Sequence, residues 1–535
     1  MLADQLLVNG RIYTLDAQFP RASAIALAGD RVLAVGEDGA TNAGRDLRAL
    51  LSPGGTVRDL GGRCMLPGLT DSHIHFTRYA LGLRQVDLTG TATLDEMLHL
   101  VAQRARETEP GRWILGRGWD QERWPEHRFP TAADLDRAAP DHPVRLIAKS
   151  GHALVANSRA LRLAAITAET PDPPGGQIGR DDAGRPTGML FEESAADLIK
   201  AVVPQPSPAE TDDALREAFP RAWRVGLTAI HDVDADLALE AYQRLHVRSE
   251  LGLRVVKYLP DRVLDAALTV GVRAGLGDDW LRVGGIKLFT DGALGPRTAM
   301  MLQPYQGEPD NLGIPTMEEE ALRRVARRAV AGGLPLAVHA IGDRANRMVL
   351  DVLADVGSVD GGRLPHRIEH VQLLHPDDVS RLAELGIVAS MQPLHATQDY
   401  EMAERYWGER CATAYALGSL ARAGALLVFG SDCPVEDLNP FLGIHAAVTR
   451  RRSDGSPGPE GWYPEQRLTV EEAVRGFTLG AAHAVGLADR LGSLSPGKLA
   501  DLIVLDRDIF TGDPMEIAGT RVVATMIGGR FVHGE

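Results

Sequence analysis

The apolar positions change rhythm twice along the 535 residues. Up to residue 64, short runs alternate apolar and polar positions: QLLVNGRIYTLD, SAIALAGDRVLAVGE and TVRDLGGRCML. A period of two is the mark of a strand with one face buried. Asn9-Gly10 and Gly29-Asp30 stand between such runs and predict tight hairpins. The same texture returns in ADLIVLDRD (500–508) and RVVATMIGGRFVHGE (521–535), with Gly528-Gly529 as a turn. Neither end has enough apolar residues for a core of its own. Residues 1–64 and 487–535 are therefore expected to pair into one small β-sandwich.

Between the ends, apolar strands alternate with amphipathic helices. Eight strands are predicted, at 64–73, 227–233, 253–259, 282–289, 335–342, 366–372, 387–393 and 426–432. Helices are expected at 317–333, 375–386 and 469–486. Eight such alternations imply an α/β fold, a (β/α)8 TIM barrel over 65–486, with catalytic groups at the C-terminal strand ends. The interval from His75 to Leu227 is far too long for one crossover. Within it, 112–124 and 144–166 read as strand and helix pieces, and 171–190 as a turn-rich hairpin. Residues of about 78–220 thus form a large insertion, expected over the barrel mouth.

Composition narrows the function. A hydrophobic content of 44% supports a sizeable core, and 57 basic against 72 acidic residues give a net charge of −15. That balance argues against nucleic acid or an anionic membrane as partner. Three cysteines, Cys64, Cys411 and Cys433, are too few for a disulfide framework and point to a reducing, cytoplasmic setting. The N-terminus lacks a signal-peptide pattern, and no apolar run is long enough to span a membrane. The expected partner is a small-molecule substrate; a homodimer is also admitted, because barrel hydrolases often associate.

The candidate chemistry lies at the strand ends. In His73-Ile74-His75, strand alternation aims two imidazoles together, which makes half of a tetrahedral metal site. His339, His370 and Asp432 end later strands. Hydrogen-bonded core histidines and a turn-capping aspartate are the plain alternatives. Lys287 stands near the end of the fourth strand among apolar neighbours. A buried amine there needs a partner such as Asp291, or a change of chemistry. Uptake of CO2 would make it a carbamate, an oxygen ligand able to bridge two metal ions.

Taken together, LPGLTDSHIH, SGHALVANS, KLFTDGALGPRTA, VHAIGD, RIEH, SMQP, GSDCPV and SPGKLADLIVLD carry a resemblance. The chain resembles the amidohydrolase superfamily, in the amidohydrolase-3 branch of YtcJ-like proteins that includes N-substituted formamide deformylase. The resemblance implies metal binding by His73, His75, Lys287 as carbamate, His339, His370 and Asp432. It implies a buried ion on His73, His75 and Asp432, and a second on His339 and His370. Two zinc ions are expected, with iron, manganese or nickel also suited to such ligands. The implied reaction is hydrolysis of an amide, formamide or cyclic amide C–N bond by a metal-bridged hydroxide, with Asp432 carrying the proton.

Further residues are read as shaping the pocket. His152 could bond the substrate or intermediate oxygen. Trp119, Asp120 and Trp124 could wall the site. Asp291 and Arg297 sit on a Gly-rich loop that could act as a lid, and Gln392 could face the site. One rival is a mononuclear deaminase, which would carry a glutamate soon after the strand-five histidine; here Ala-Ile-Gly-Asp follows His339. The other is a non-catalytic scaffold, which would have lost ligands.

Overall fold

The computed structural model describes the chain apart from residues 1, 38–39, 42–45, 122–123, 150–152, 174–175, 236 and 535. Two units result, Met1–Tyr79 with Arg216–Glu535, and Ala80–Leu215. In the larger unit eight parallel strands form one sheet. They are β1 (Leu69–Ile74), β2 (Leu227–Asp232), β3 (Arg254–Pro260), β4 (Leu281–Phe289), β5 (Leu336–Ala340), β6 (Arg367–His370), β7 (Val388–Met391) and β8 (Leu427–Phe429). Each pairs with the next in chain order. β1, β2, β5, β6 and β7 are buried along their whole length. Parallel strands covered on both faces read as continuous apolar runs, which is why all eight were visible in the sequence.

The end of β8 returns to β1. The Asp432 N–H donates to the His73 carbonyl at 2.8 Å, and the His75 N–H donates to the Cys433 carbonyl at 2.9 Å. Gly430 permits this approach, because a Cβ there would lie 2.4 Å from the His73 nitrogen. The fold is therefore a (β/α)8 barrel.

Two expected helices are broken. The run 469–486 forms Val470–Gly476 and Leu479–Ala484. Between them the Phe477 carbonyl accepts from the Thr70 N–H at 2.7 Å and ties the break to β1. The run 375–386 becomes a 3-10 turn, Pro376–Asp378, and a single helical turn, Arg381–Glu384. The third, expected at 317–333, runs over Glu319–Ala331.

The chain ends build a two-sheet sandwich. Cys64–Pro67 pairs antiparallel with Leu502–Leu505, so both termini share one sheet. Leu7, Ile25, Met65, Leu502 and Met526 meet in its core. Gly29-Asp30 and Gly528-Gly529 close hairpins, at Ala28↔Arg31 and Ile527↔Arg530. Asn9-Gly10 does not. Ala3–Val8 and Arg11–Tyr13 lie in different sheets, and the chain crosses between them at Asn9. The Asn9 carbonyl accepts instead from the Gly62 N–H of a second turn, at 2.7 Å.

The smaller unit is built on a six-stranded sheet. Val86–Asp87, Ile114–Trp119 and Val144–Ala148 run parallel, and Ala153–Ala156, Pro186–Phe191 and Gln177–Arg180 continue antiparallel. Among the described residues no helix is long and apolar enough to cross a membrane.

Candidate metal centre

His73 ends β1 and is buried. Its Nδ1 lies 2.5 Å from Glu369 Oε2, and its Nε2 lies 3.6 Å from Asp432 Oδ1. His75 follows one residue beyond the strand. Its Nδ1 lies 3.0 Å from Asp234 Oδ1, and its Nε2 lies 3.5 Å from the same Asp432 oxygen. Each imidazole thus gives Nδ1 to a carboxylate. That contact orients the ring and leaves the Nε2 lone pair as a ligand atom on the side facing Asp432. The donor atoms of His73, His75 and Asp432 lie within 4.8 Å of one another.

Asp432 sits at φ 57° and His370 at φ 75°, in the left-handed region. A non-glycine residue there is strained by about 1–3 kcal/mol, and such strain gathers at functional sites. Asp71 buttresses the turn: Ser431 donates its hydroxyl to the Asp71 carboxylate at 2.5 Å. Burial alone would raise Asp432. His75, His73 and His370 more than reverse this and hold it well below the usual carboxylate range.

His370 forms a second group. Its Nδ1 is 2.8 Å from Gln392 Oε1. A donor atom of His370 lies within 4.8 Å of one from His395 and one from Asp432. His395 stands in the first turn of the helix Pro393–Trp407, and its buried Nε2 has no hydrogen-bond partner among the described residues. His339 is close by, with its ring centroid 4.6 Å from that of His370. Its Nε2, however, faces the Gly292 carbonyl at 3.0 Å and Asp291 at 3.4 Å. The cluster that accompanies His370 therefore contains His395 and not the expected His339.

Lys287 is buried, and its Nζ has no hydrogen-bond partner among the described residues. The nitrogen lies 4.4 Å from the Phe289 ring centroid. Burial pulls the amine down to about 8, against the opposing pull of Glu369 and Asp432. Burial also favours the neutral forms of His73, His339 and His370, and the Lys287 charge adds to this in each case.

The alternative salt bridge to Asp291 is not formed. Asp291 accepts instead from the backbone N–H groups of Met300, Gly342 and Ile341, at 2.9, 2.9 and 3.1 Å. It fixes a loop beside His339. Arg297 pairs with Glu308 at 2.7 Å and donates to the Tyr406 hydroxyl at 3.1 Å. It braces the same loop. Gln392 acts on His370, as above. Trp119 is a core side chain of the smaller unit, with its indole N–H donated to the Leu146 carbonyl at 3.2 Å. Trp124 shares that core, and Asp120 is half-buried beside them. His152 lies outside the described residues.

Several supporting residues escaped the sequence reading. Arg367 donates to Glu369 at 2.5 and 3.0 Å and to the Ser390 hydroxyl at 2.6 Å, with His231 Nδ1 at 3.1 Å. Glu369 and Asp234 were visible as acids inside or just after apolar strands, in RIEH and HDVDAD. A buried acid needs a partner, and that was the available signal. His395 gave none, because it follows Pro393 in a helix start that was read as a strand end.

The donor set suits a divalent metal: imidazoles with fixed tautomers, one ionised carboxylate between them, and an unpartnered buried lysine. The chain is similar to several known proteins, one of them described as a metal-dependent hydrolase. Protein LONG AFTER FAR-RED 3 of Arabidopsis thaliana is 35% identical, covering 100% of this chain and 92% of its own. The N-substituted formamide deformylase of Arthrobacter pascens is 31% identical, covering 99% and 98%. The crystal structure of an uncharacterized metal-dependent hydrolase from Pyrococcus horikoshii OT3 is 30% identical, with a TM-score of 0.81 over 95% of this chain and 99% of that one. The model of the Amidohydrolase family matches residues 56–533, and the chain belongs to that family.

Proposed function

We propose that this amidohydrolase cleaves the C–N bond of a small amide, formamide or cyclic amide, using two divalent ions, zinc foremost. One observation carries the reading: two carboxylate-backed imidazoles converge on Asp432 beside a buried lysine without a partner. His73, His75 and Asp432 would hold one ion. His370 would hold the second, with His395, His339 and Lys287 as the further candidates to hold it. When bound, such ions acidify water and polarise a substrate carbonyl.

The chain's own groups supply the rest. Glu369 and Asp234 hold the two imidazoles in one orientation. Asp432, kept ionised, accepts the proton of the attacking water on a carboxylate oxygen and returns it to the leaving nitrogen. A Lys287 amine drawn down to about 8 is partly neutral near physiological pH. Its lone pair can attack CO2, forming an N–C bond and releasing one proton, which leaves a carbamate. Phe289, half exposed next to Lys287, offers an apolar face to the acyl or N-substituent. Three free buried cysteines support a reducing, cytoplasmic setting.

The test is a screen of N-acyl, N-formyl and cyclic amides with metal-loaded enzyme, paired with Lys287→Ala. The variant is expected to lose more than ~100-fold in turnover, and added short carboxylates should restore part of it. An unimpaired variant removes the carbamate from the account.

A further inference from the structure

The smaller unit contains a cavity of about 730 Å³ whose lining shares no residue with the metal centre. Five basic side chains line it, Arg84, Arg104, Arg112, Arg145 and Lys200, against a single acid, Glu210. That excess is conspicuous in a chain of net charge −15. The acid is already committed. Glu210 accepts from the Ser207 N–H and hydroxyl at 2.8 Å each, and Arg112 pairs with its other oxygen at 3.3 Å. Arg104 donates to the Arg84 carbonyl.

Arg145 is left over. It lies on the strand Val144–Ala148, with its backbone paired to Leu115 and Ala156. Its Nε is buried with no hydrogen-bond partner among the described residues. Burial pushes the guanidinium down to about 10, with no opposing charge. A desolvated cation without a counter-charge is unfavourable, and a well-packed apolar side chain would be more stable in its place. The cavity beside it falls within the range that holds small organic ligands, and Trp113 and Leu81 give it an apolar wall.

We propose that this cavity binds a small organic oxyanion, a phosphate or carboxylate on an apolar or ring-shaped body, with the half-buried Arg145 as the anchor. A planar guanidinium can donate two parallel N–H bonds to two oxygens of either group, which a lysine cannot do. The site is independent of the hydrolytic reading.

Calorimetric titration of the metal-loaded enzyme with phenyl phosphate, benzoate and benzyl alcohol tests it. At least one of the two anions should bind saturably, one per chain, and the neutral alcohol should not. The tighter anion names the headgroup. Arg145→Met, which keeps the side-chain volume, should weaken binding at least ~10-fold. Arg112→Ala removes a largely exposed arginine and should also weaken it, so the test stands even if the Arg145 variant misfolds. Asp432→Asn should bind the anion as well as the parent does. No saturable binding up to ~10 mM, unchanged binding in both arginine variants, or loss in Asp432→Asn alone would each overturn the proposal.

Discussion

His73 and His75 are backed by carboxylates that rest on different supports. Glu369 is clamped by Arg367, and both are fully buried. Burial would raise Glu369; Arg367 and His73 reverse this and hold it well below its usual range. Asp234, also buried, bonds His75 and the Arg78 N–H, while the nearby Lys257 gives its ion pair to Asp232. The two should therefore fail differently. Glu369→Gln leaves Arg367 buried without its counter-charge and is expected to lose about 3–5 kcal/mol of stability. It should also weaken metal retention by about 10–100-fold. Asp234→Asn should show a comparable metal defect with a smaller loss of stability. Urea unfolding together with metal content after dialysis against a chelator reads both effects. Equal losses of stability in the two variants would contradict the distinction.

At the scale of elements, the start of one short helix is decided by contacts among a few neighbouring residues. Thr131 and Asp134 form a capping box that opens the helix Ala132–Ala138, and Arg128 and Arg137 add ion pairs at 2.7 Å. Burial would raise Asp134, but the Arg128 and Thr131 bonds hold it well below its usual range. Its folded value lies under its unfolded one. The stabilisation is therefore fully present above pH ~4 and fades as pH falls toward the folded value. Asp134→Ala should reduce stability at neutral pH by about 1–3 kcal/mol, and the gap to the parent should narrow on acidification. A gap that does not change with pH would assign the loss to packing instead.

The same local logic explains what was legible. His73, Lys287, His339, His370 and Asp432 stood out because each lay in or at the end of an apolar run. Asn9-Gly10 misled because a turn signal marks a reversal and not the strand that receives it. The break at Phe477 was silent because its cause, the Thr70 N–H, is four hundred residues away in sequence. The partners of Asp291 and Arg297, the Met300 N–H, Ile341 and Gly342 N–H groups, Glu308 and Tyr406, left no trace that a local reading could use.

At the scale of the whole molecule, one buried ion pair joins the terminal sandwich to the barrel. Arg254 on β3 meets Asp501 beside Leu502–Leu505 at 2.6 and 2.9 Å, and Asp501 also accepts from the Gly528 N–H at 2.8 Å. Asp501→Ala strands the guanidinium and is expected to destabilise the larger unit by about 3–5 kcal/mol. Metal content at the distant strand ends should be unchanged, and a variant that loses metal before it unfolds would contradict this. The central claim is that residues far apart in sequence converge at those strand ends to hold metal. Elemental analysis of the purified chain after metal loading tests it most directly. The account predicts about two divalent ions per chain, falling to near zero in a His73→Ala, Asp432→Ala double variant that remains folded. A parent chain that stays metal-free after loading, or a double variant that binds as much as the parent, would contradict it.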